Sequence, residues 1–422
     1  MNHTPTLLRC WRKNRDSRPL TPEEIQRVAK ALVTLQRGLT GSRTLAGARY
    51  MDEDGTLGAY LLYYYNITFA QISFTLKSFL SRTNIPSRRT LRILDIGCGP
   101  APAAMAFVDY LKKGPKEKQQ ISLTCIDASR KALLLARDIF SADRPDIAFQ
   151  MHCQDLQSAA FALHETYDVI LVSHVINELW KNESAGTQKR LRFLMTLKEK
   201  LDKNGILLIC EPALTQVSRE TIRLATGLAK SGLTIVSPCP RAFENAPQCP
   251  IFNTESSSTT CHAEVFTNFP EDVLKIAREA GLTRLSVKMT FFAFQNSAKQ
   301  REKCGERPTV YRVVSDAMLN KAGRIRYLLC DGKRRIPMSA KAGDATARTI
   351  GFFNLKRYDA VTVSEPEIRG DAKNPSFGIG PETRLGIDPF APKSEPVAGP
   401  LLQARSRSRR QNQENRRRAK QR

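Results

Sequence analysis

The feature that most constrains this chain is the alternation of short apolar runs with longer amphipathic ones that begins at Leu91. LRILDIG (91–97), ISLTCIDA (121–128), YDVILVS (167–173) and GILLICEPA (205–213) read as strands. PAAMAFVDYLKK, ASRKALLLARDIF and KRLRFLMTLKEKL read as the helices between them. Strands that are apolar throughout and separated by helices predict a mostly parallel sheet covered on both faces. The far edge is expected to be closed by LSVKMTFFAF (285–294) and TVYRVVSDA (309–317).

Around this α/β core the chain divides into four regions. Residues 1–87 are expected to be helical, with Thr21 capping a helix that places Pro22 first and Glu24 three residues after the cap. Residues 88–317 hold the α/β domain with a cysteine-rich insertion at 237–266. Residues 318–365 alternate around Gly and charged turns and predict a small β-rich appendage. Residues 366–422 begin with seven prolines by residue 400, a linker composition, and are expected to be disordered. They end in RSRSRRQNQENRRRAKQR, nine basic side chains against the single acid Glu414.

That tail sharpens a bias of the whole chain. Sixty-six Lys and Arg against 41 Asp and Glu leave a formal charge of +25, which favours a polyanionic partner such as nucleic acid. No run of about 18 apolar residues is present, so no membrane span is expected. The opening MNHTPTLLRCWRKNRDSRPL is basic and lacks a hydrophobic signal core; it reads as an ordinary amino terminus or, alternatively, as a mitochondrial targeting segment. The reading preferred from sequence is a bacterial cytoplasmic protein, monomeric away from its partner, with a mitochondrial location if the source is eukaryotic.

The turn DIGCGPA joins the first strand to the first helix of the sheet. Gly97 and Gly99 allow a close backbone approach, and Ala101 stands where a third small residue is expected. Dinucleotide and S-adenosylmethionine folds share this layout. No ribose-plus-pyrophosphate signature demands a nicotinamide, and DIGCG favours S-adenosylmethionine; an empty cleft is the other alternative. Asp95 is placed to organise the turn or to receive a ligand's cationic amino end. Asp127 is placed to accept ribose hydroxyls, and Asp155 to approach an adenine edge. Beyond the fourth strand, His174, Asn177 and Glu178 are the candidate catalytic residues, His174 for proton transfer and the other two for orientation. Glu211 is a further cleft-facing candidate or a cap. No residue pattern identifies an acceptor atom.

Three thiols fall in SPCPRAFENAPQCPIFNTESSSTTCHAEVF, at Cys239, Cys249 and Cys261, and Cys330 follows at a distance. Four thiolates suit an iron–sulfur cluster or tetrahedral zinc, and the spacing lacks the close pairs of a structural zinc site. Cys304 and His262 are substitutes for the fourth ligand. Cys98, Cys125 and Cys210 are expected to be buried small hydrophobes.

The ordered set LDIGCGP, SHVINEL, ICEPA, SPCP, QCP, TCHAEVF and YLLC resembles the Rsm22 family of small-ribosomal-subunit methyltransferase-like proteins over most of residues 21–360. That resemblance implies a class I S-adenosylmethionine-dependent methyltransferase fold and association with small-subunit ribosomal RNA in the assembling subunit. It also implies a [4Fe-4S] cluster on Cys239, Cys249, Cys261 and Cys330. Arg241 replaces a histidine and Thr260 an aromatic that the family pattern carries. Three functional readings follow: an RNA methyltransferase, a non-catalytic assembly scaffold and a zinc-dependent RNA-binding module.

Overall fold

The structure is a computed structural model. It describes residues 3–387 apart from 14–15, 46–49, 81–82, 84, 87, 89, 114–118, 159–160, 240–248, 254–258, 284, 298–308 and 372–373. Cys304, Arg241, the arginine tail and the last part of the proline-rich segment lie outside the described residues.

The central sheet contains β1 (Thr90–Ile96), β2 (Gln120–Asp127), β3 (Ala148–Cys153), β4 (Tyr167–Ser173), β5 (Leu201–Pro212), β6 (Thr234–Ser237), β7 (Ala263–Phe266) and β8 (Ser286–Gln295). Their order is β3-β2-β1-β4-β5-β8-β6, with β7 also pairing β8. β1 to β5 pair in parallel, and β8 runs antiparallel to β5, β6 and β7. Alternate residues of β1 feed separate cores, Leu91 and Ile93 one and Leu94 and Ile96 the other. Burial on both faces is why these strands read as unbroken apolar runs. The arrangement is that of a class I methyltransferase fold. β1 has neighbours on both sides whose connections diverge, so a crevice opens at the carboxyl ends of β1 and β4.

The amino-terminal region is helical: α1 (Thr4–Trp11), α2 (Pro22–Gln36), α3 (Asp54–Ala59) and α4 (Tyr65–Leu80), with a π turn at Tyr60–Tyr64 linking the last two. Thr21 Oγ1 accepts from Glu24 N at 3.3 Å and the Glu24 carboxylate accepts from Thr21 N at 3.0 Å, a capping box. The first residues are built into the domain. His3 is buried, with Nε2 3.0 Å from Asp109 and Nδ1 2.5 Å from Asp143, and Leu7 and Leu8 join the core. α5 (Pro102–Lys112) and α6 (Arg130–Asp143) share that core, whereas α7 (Gly186–Glu199) and α8 (Thr215–Lys230) cover the opposite face. α9 (Glu271–Glu279) packs beside α2.

A second sheet follows: β9 (Val310–Val313), β10 (Met318–Leu319), β11 (Arg324–Cys330), β12 (Arg335–Lys341), β13 (Ala360–Ser364), β14 (Glu367–Arg369), β15 (Ser376–Gly378) and β16 (Arg384–Ile387), with α10 (Ala345–Thr349) after β12. It has its own core around Val313, Tyr327, Leu329, Met338, Phe352 and Val361. Its extent departs from the sequence expectation at both ends. The 310–313 strand pairs with β11 and β13 rather than closing the first sheet. Residues 367–387 add three strands where composition suggested a linker.

Candidate functional site

The crevice begins at the turn after β1. Gly97, Gly99 and Ala101 all have positive φ, at 61°, 53° and 57°. Only glycine adopts this region freely, so Ala101 holds it under strain. The close approaches at the two glycines are made by the protein itself: a Cβ on Gly97 would lie 2.3 Å from Val175 Cγ2, and one on Gly99 3.1 Å from Met51 Cε.

Asp95 lies behind this turn. Its Oδ2 accepts from Ala104 N at 3.1 Å, capping the first turn of α5, while Oδ1 is buried without a protein partner. Burial pushes its carboxyl up to about 8. Asp127, at the end of β2, accepts from Gly99 N and Ser129 N, both at 2.8 Å. Its pKa is raised by burial, against which these backbone donors act.

Gly97, Asp127, Asp155, His174 and Glu178 line one cavity of about 160 Å³, with Tyr50 and Met51 beside them. A second cavity of about 370 Å³ shares Tyr50, Tyr60, His174 and Glu178 and extends to Tyr64, Gln71, Asn177 and Lys288. The first falls short of the roughly 300–1,000 Å³ usual for ligand pockets and the second lies within that range. A larger cavity of about 540 Å³ lies between α4, α5 and residues 265–270 and includes none of these candidate residues; strand-end placement, rather than size, marks the site.

The structure brings His174, Asn177 and Glu178 to the crevice in unequal roles. His174 has φ 59° and its Nε2 lies 2.7 Å from Gln71 Oε1. Because Gln71 Nε2 donates to Lys288 O at 2.9 Å, Gln71 offers an acceptor and His174 donates from Nε2. Burial lowers His174 to about 4, so its ring is neutral at neutral pH. Asn177 Nδ2 donates to Glu211 Oε2 at 2.7 Å, and Glu211 Oε1 accepts from Ile176 N at 2.9 Å. Glu211 is thus a buried brace for the loop after β4, its carboxyl pushed up to about 8 by burial. Tyr50, Met51, Tyr60 and Gln71 reach the crevice from the amino-terminal region. Sequence reasoning missed them because apolar helix spacing does not reveal which residues meet a distant strand end.

The four candidate thiols lie within electrostatic reach of one another, at the seam where the two sheets meet. Cys239 follows β6, Cys249 precedes a short helical turn at Pro250–Asn253, Cys261 precedes β7 and Cys330 ends β11. Burial raises Cys239 well above its ordinary value, Cys249 to about 12 and Cys330 to about 11; the mutual influence of the thiols adds to this in every pairing among the four. Gly332 N donates to Cys330 Sγ at 3.4 Å. Among the described residues, no group of three or more His, Cys, Asp or Glu side chains is drawn together as a metal-ion site. His262 carries a buried Nδ1 without a hydrogen-bond partner. Cys98, Cys125 and Cys210 are buried.

No curated protein sequence matches the chain. Among solved structures it is similar to the plantazolicin methyltransferase BpumL in complex with SAH, at 14% identity over 65% of this chain and 98% of that one, with a TM-score of 0.33. It is also similar to magnesium protoporphyrin IX methyltransferase from Synechocystis PCC 6803 with bound SAM, at 13% identity over 63% and 97% of the two chains, with a TM-score of 0.35. The family model described as mitochondrial small ribosomal subunit Rsm22 matches residues 56–340, well over half of the chain and a span that includes all four candidate thiols and the crevice residues other than Tyr50 and Met51. The chain belongs to the Rsm22 family.

Proposed function

We propose that the protein binds S-adenosylmethionine at the carboxyl edge of β1, β2 and β4 and engages small-subunit ribosomal RNA during assembly of the subunit. The observation that carries this reading is the family match across residues 56–340. The residues at the crevice fit the cofactor: Asp95 Oδ1 is a buried acceptor without a protein partner, suited to an ammonium group, and Asp127 and Asp155 stand at the ends of β2 and β3. Bound S-adenosylmethionine would supply an electrophilic methyl group. Tyr50, Tyr60 and Tyr64 would offer aromatic surface to a planar acceptor in the adjoining cavity, and closure there would exclude water.

A second reading, an assembly scaffold without methyl transfer, is favoured by the state of the crevice. Met51 packs against Gly99, the first cavity is small, and His174 at about 4 is a weak base at neutral pH. Incubating the full chain with labelled cofactor and immature small-subunit RNA separates the readings. Labelled RNA supports the enzyme; cofactor and RNA binding without transfer supports the scaffold. Calorimetry showing no cofactor binding by correctly folded, metal-replete protein would overturn both assignments of the crevice.

At the seam, Cys239, Cys249, Cys261 and Cys330 would hold a [4Fe-4S] cluster. Burial and the neighbouring thiols raise Cys239, Cys249 and Cys330, which makes them costly as free thiolates, and a cationic metal centre removes that cost. Iron with acid-labile sulfide in protein purified without oxygen tests this; stoichiometric zinc without sulfide would turn the site into a zinc centre.

A further inference from the structure

Tyr358, which no motif singled out, points its hydroxyl at one of the four thiols. Its Oη lies 3.4 Å from Cys261 Sγ. The residue belongs to the loop before β13, in the second sheet, whereas Cys261 precedes β7 in the first. The phenol therefore crosses the seam.

Several contacts fix it there. The side chain is buried, with its ring centroid 5.9 Å from that of Phe291 on β8. Arg312, buried on β9, places its guanidinium 5.9 Å over the same ring. Arg312 Nη1 donates to Tyr358 O at 2.7 Å and Nε donates to Pro238 O at 2.9 Å, beside Cys239. Tyr358 N donates to Val313 O at 2.7 Å. Its φ is 75°, a left-handed conformation unfavourable for a bulky aromatic and maintained by these restraints.

We propose that Tyr358 is a positioning residue for the metal centre: its O–H donates to the Cys261 thiolate, drawing electron density from that sulfur and favouring the more reduced state. The inference rests on the four-thiolate reading. A ligating thiolate has lone pairs and no proton, so the direction of the hydrogen bond is set, and a charged acceptor strengthens it. Hydrogen bonds to ligand sulfurs are among the levers that raise a cluster's potential.

The test compares the anaerobically purified full chain with Tyr358→Phe, which keeps the ring on Phe291 and beneath Arg312 and loses only the donor. Iron and sulfide are measured first, followed by a dithionite titration read by electron paramagnetic resonance. Equal iron and sulfide with a lower potential is expected. The reduction equilibrium should move several-fold, up to about tenfold, or about 59 mV for a one-electron couple. Equal content with an unchanged potential would overturn the donor role and leave the cluster reading intact; wild-type protein without iron and sulfide would overturn the cluster reading and the inference with it. If the variant fails to hold metal, resonance Raman of the wild type decides: iron–sulfur bands that shift in D2O support an exchangeable donor on the ligand sulfurs, and bands that stay fixed overturn it. Repeating the measurement with Arg312→Lys retains the phenol but loosens Tyr358 and, through Pro238 O, the chain at Cys239; a D2O shift left unchanged by it would assign the exchangeable donor to the Gly332 N–H on Cys330 and overturn the role of Tyr358.

Discussion

The crevice and the thiol seam solve opposite problems. At the crevice, the polar groups are held largely by their neighbours: Asp127 by two backbone N–H groups, Glu211 by Asn177 and Ile176 N, and His174 by Gln71. At the seam, burial and the neighbouring thiols leave Cys239, Cys249 and Cys330 poor acids. One region keeps its shape from within its own sheet and the helices beside it. The other draws on both sheets and gains most from a ligand that neutralises it.

The largest difference should come from Cys330→Ser. Cys330 is the thiol contributed by the second sheet, so the variant should lose most of its iron and sulfide, and limited proteolysis should cut between the sheets faster. Cofactor binding by calorimetry should remain. Retained cluster content, or loss of both ligands together, would break the separation between the two regions.

Asp127→Ala should do the reverse. It strands the N–H groups of Gly99 and Ser129 and removes the acceptor placed for the ribose. At about 1–3 kcal/mol for a lost buried partner, cofactor affinity should fall roughly tenfold to a hundredfold, with iron and sulfide unchanged.

A smaller effect concerns pH. Asp95 has its folded pKa raised to about 8 from an ordinary 3.8. Between those values the folded protein holds a proton that the unfolded chain has released. Stability therefore falls as pH rises through the window, by at most about 1.4 kcal/mol per pH unit for one group. Asp95→Asn retains an acceptor for Ala104 N and should flatten the decline in urea midpoint between pH 5 and 8 in cofactor-free protein. Parallel curves would show that Asp95 is not the group responsible. Met51→Ala should have the smallest effect: with less side chain against Gly99, cofactor binding should tighten by a few-fold. Weaker binding would make Met51 part of the cofactor's own wall.

What could be read from the sequence follows the same division. β1, β2, β4 and β5 are apolar on both faces and followed by helices, so local pattern sufficed to identify them. The same pattern placed Asp95, Gly97 and Asp127 near one edge without showing that Asp95 caps α5 or that Met51 packs against Gly99, because those facts depend on residues far along the chain. The second sheet was harder. Val310–Val313 announces a strand but not its partners, and β14 to β16 are strands of three or four residues among prolines and glycines, too short for alternation to register. Cys330 stands far from the other thiols in sequence, so spacing alone left Cys304 and His262 as substitutes for it, and the family resemblance is what assigns it to the set.

The burial of His3 has a consequence for the order in which the chain can settle. Its partner Asp143 lies 140 residues downstream. At about 5–20 residues per second, translation needs roughly 7–28 seconds to make that partner after the histidine itself. During that interval α1, with Leu7 and Leu8, gains the turn at Tyr60–Tyr64 to pack on but not the completed α6. α1 thus completes its docking only after α6 has been made, although it is synthesised more than a hundred residues earlier, and the nascent chain must shelter part of its apolar face while the rest of its binding surface is being made.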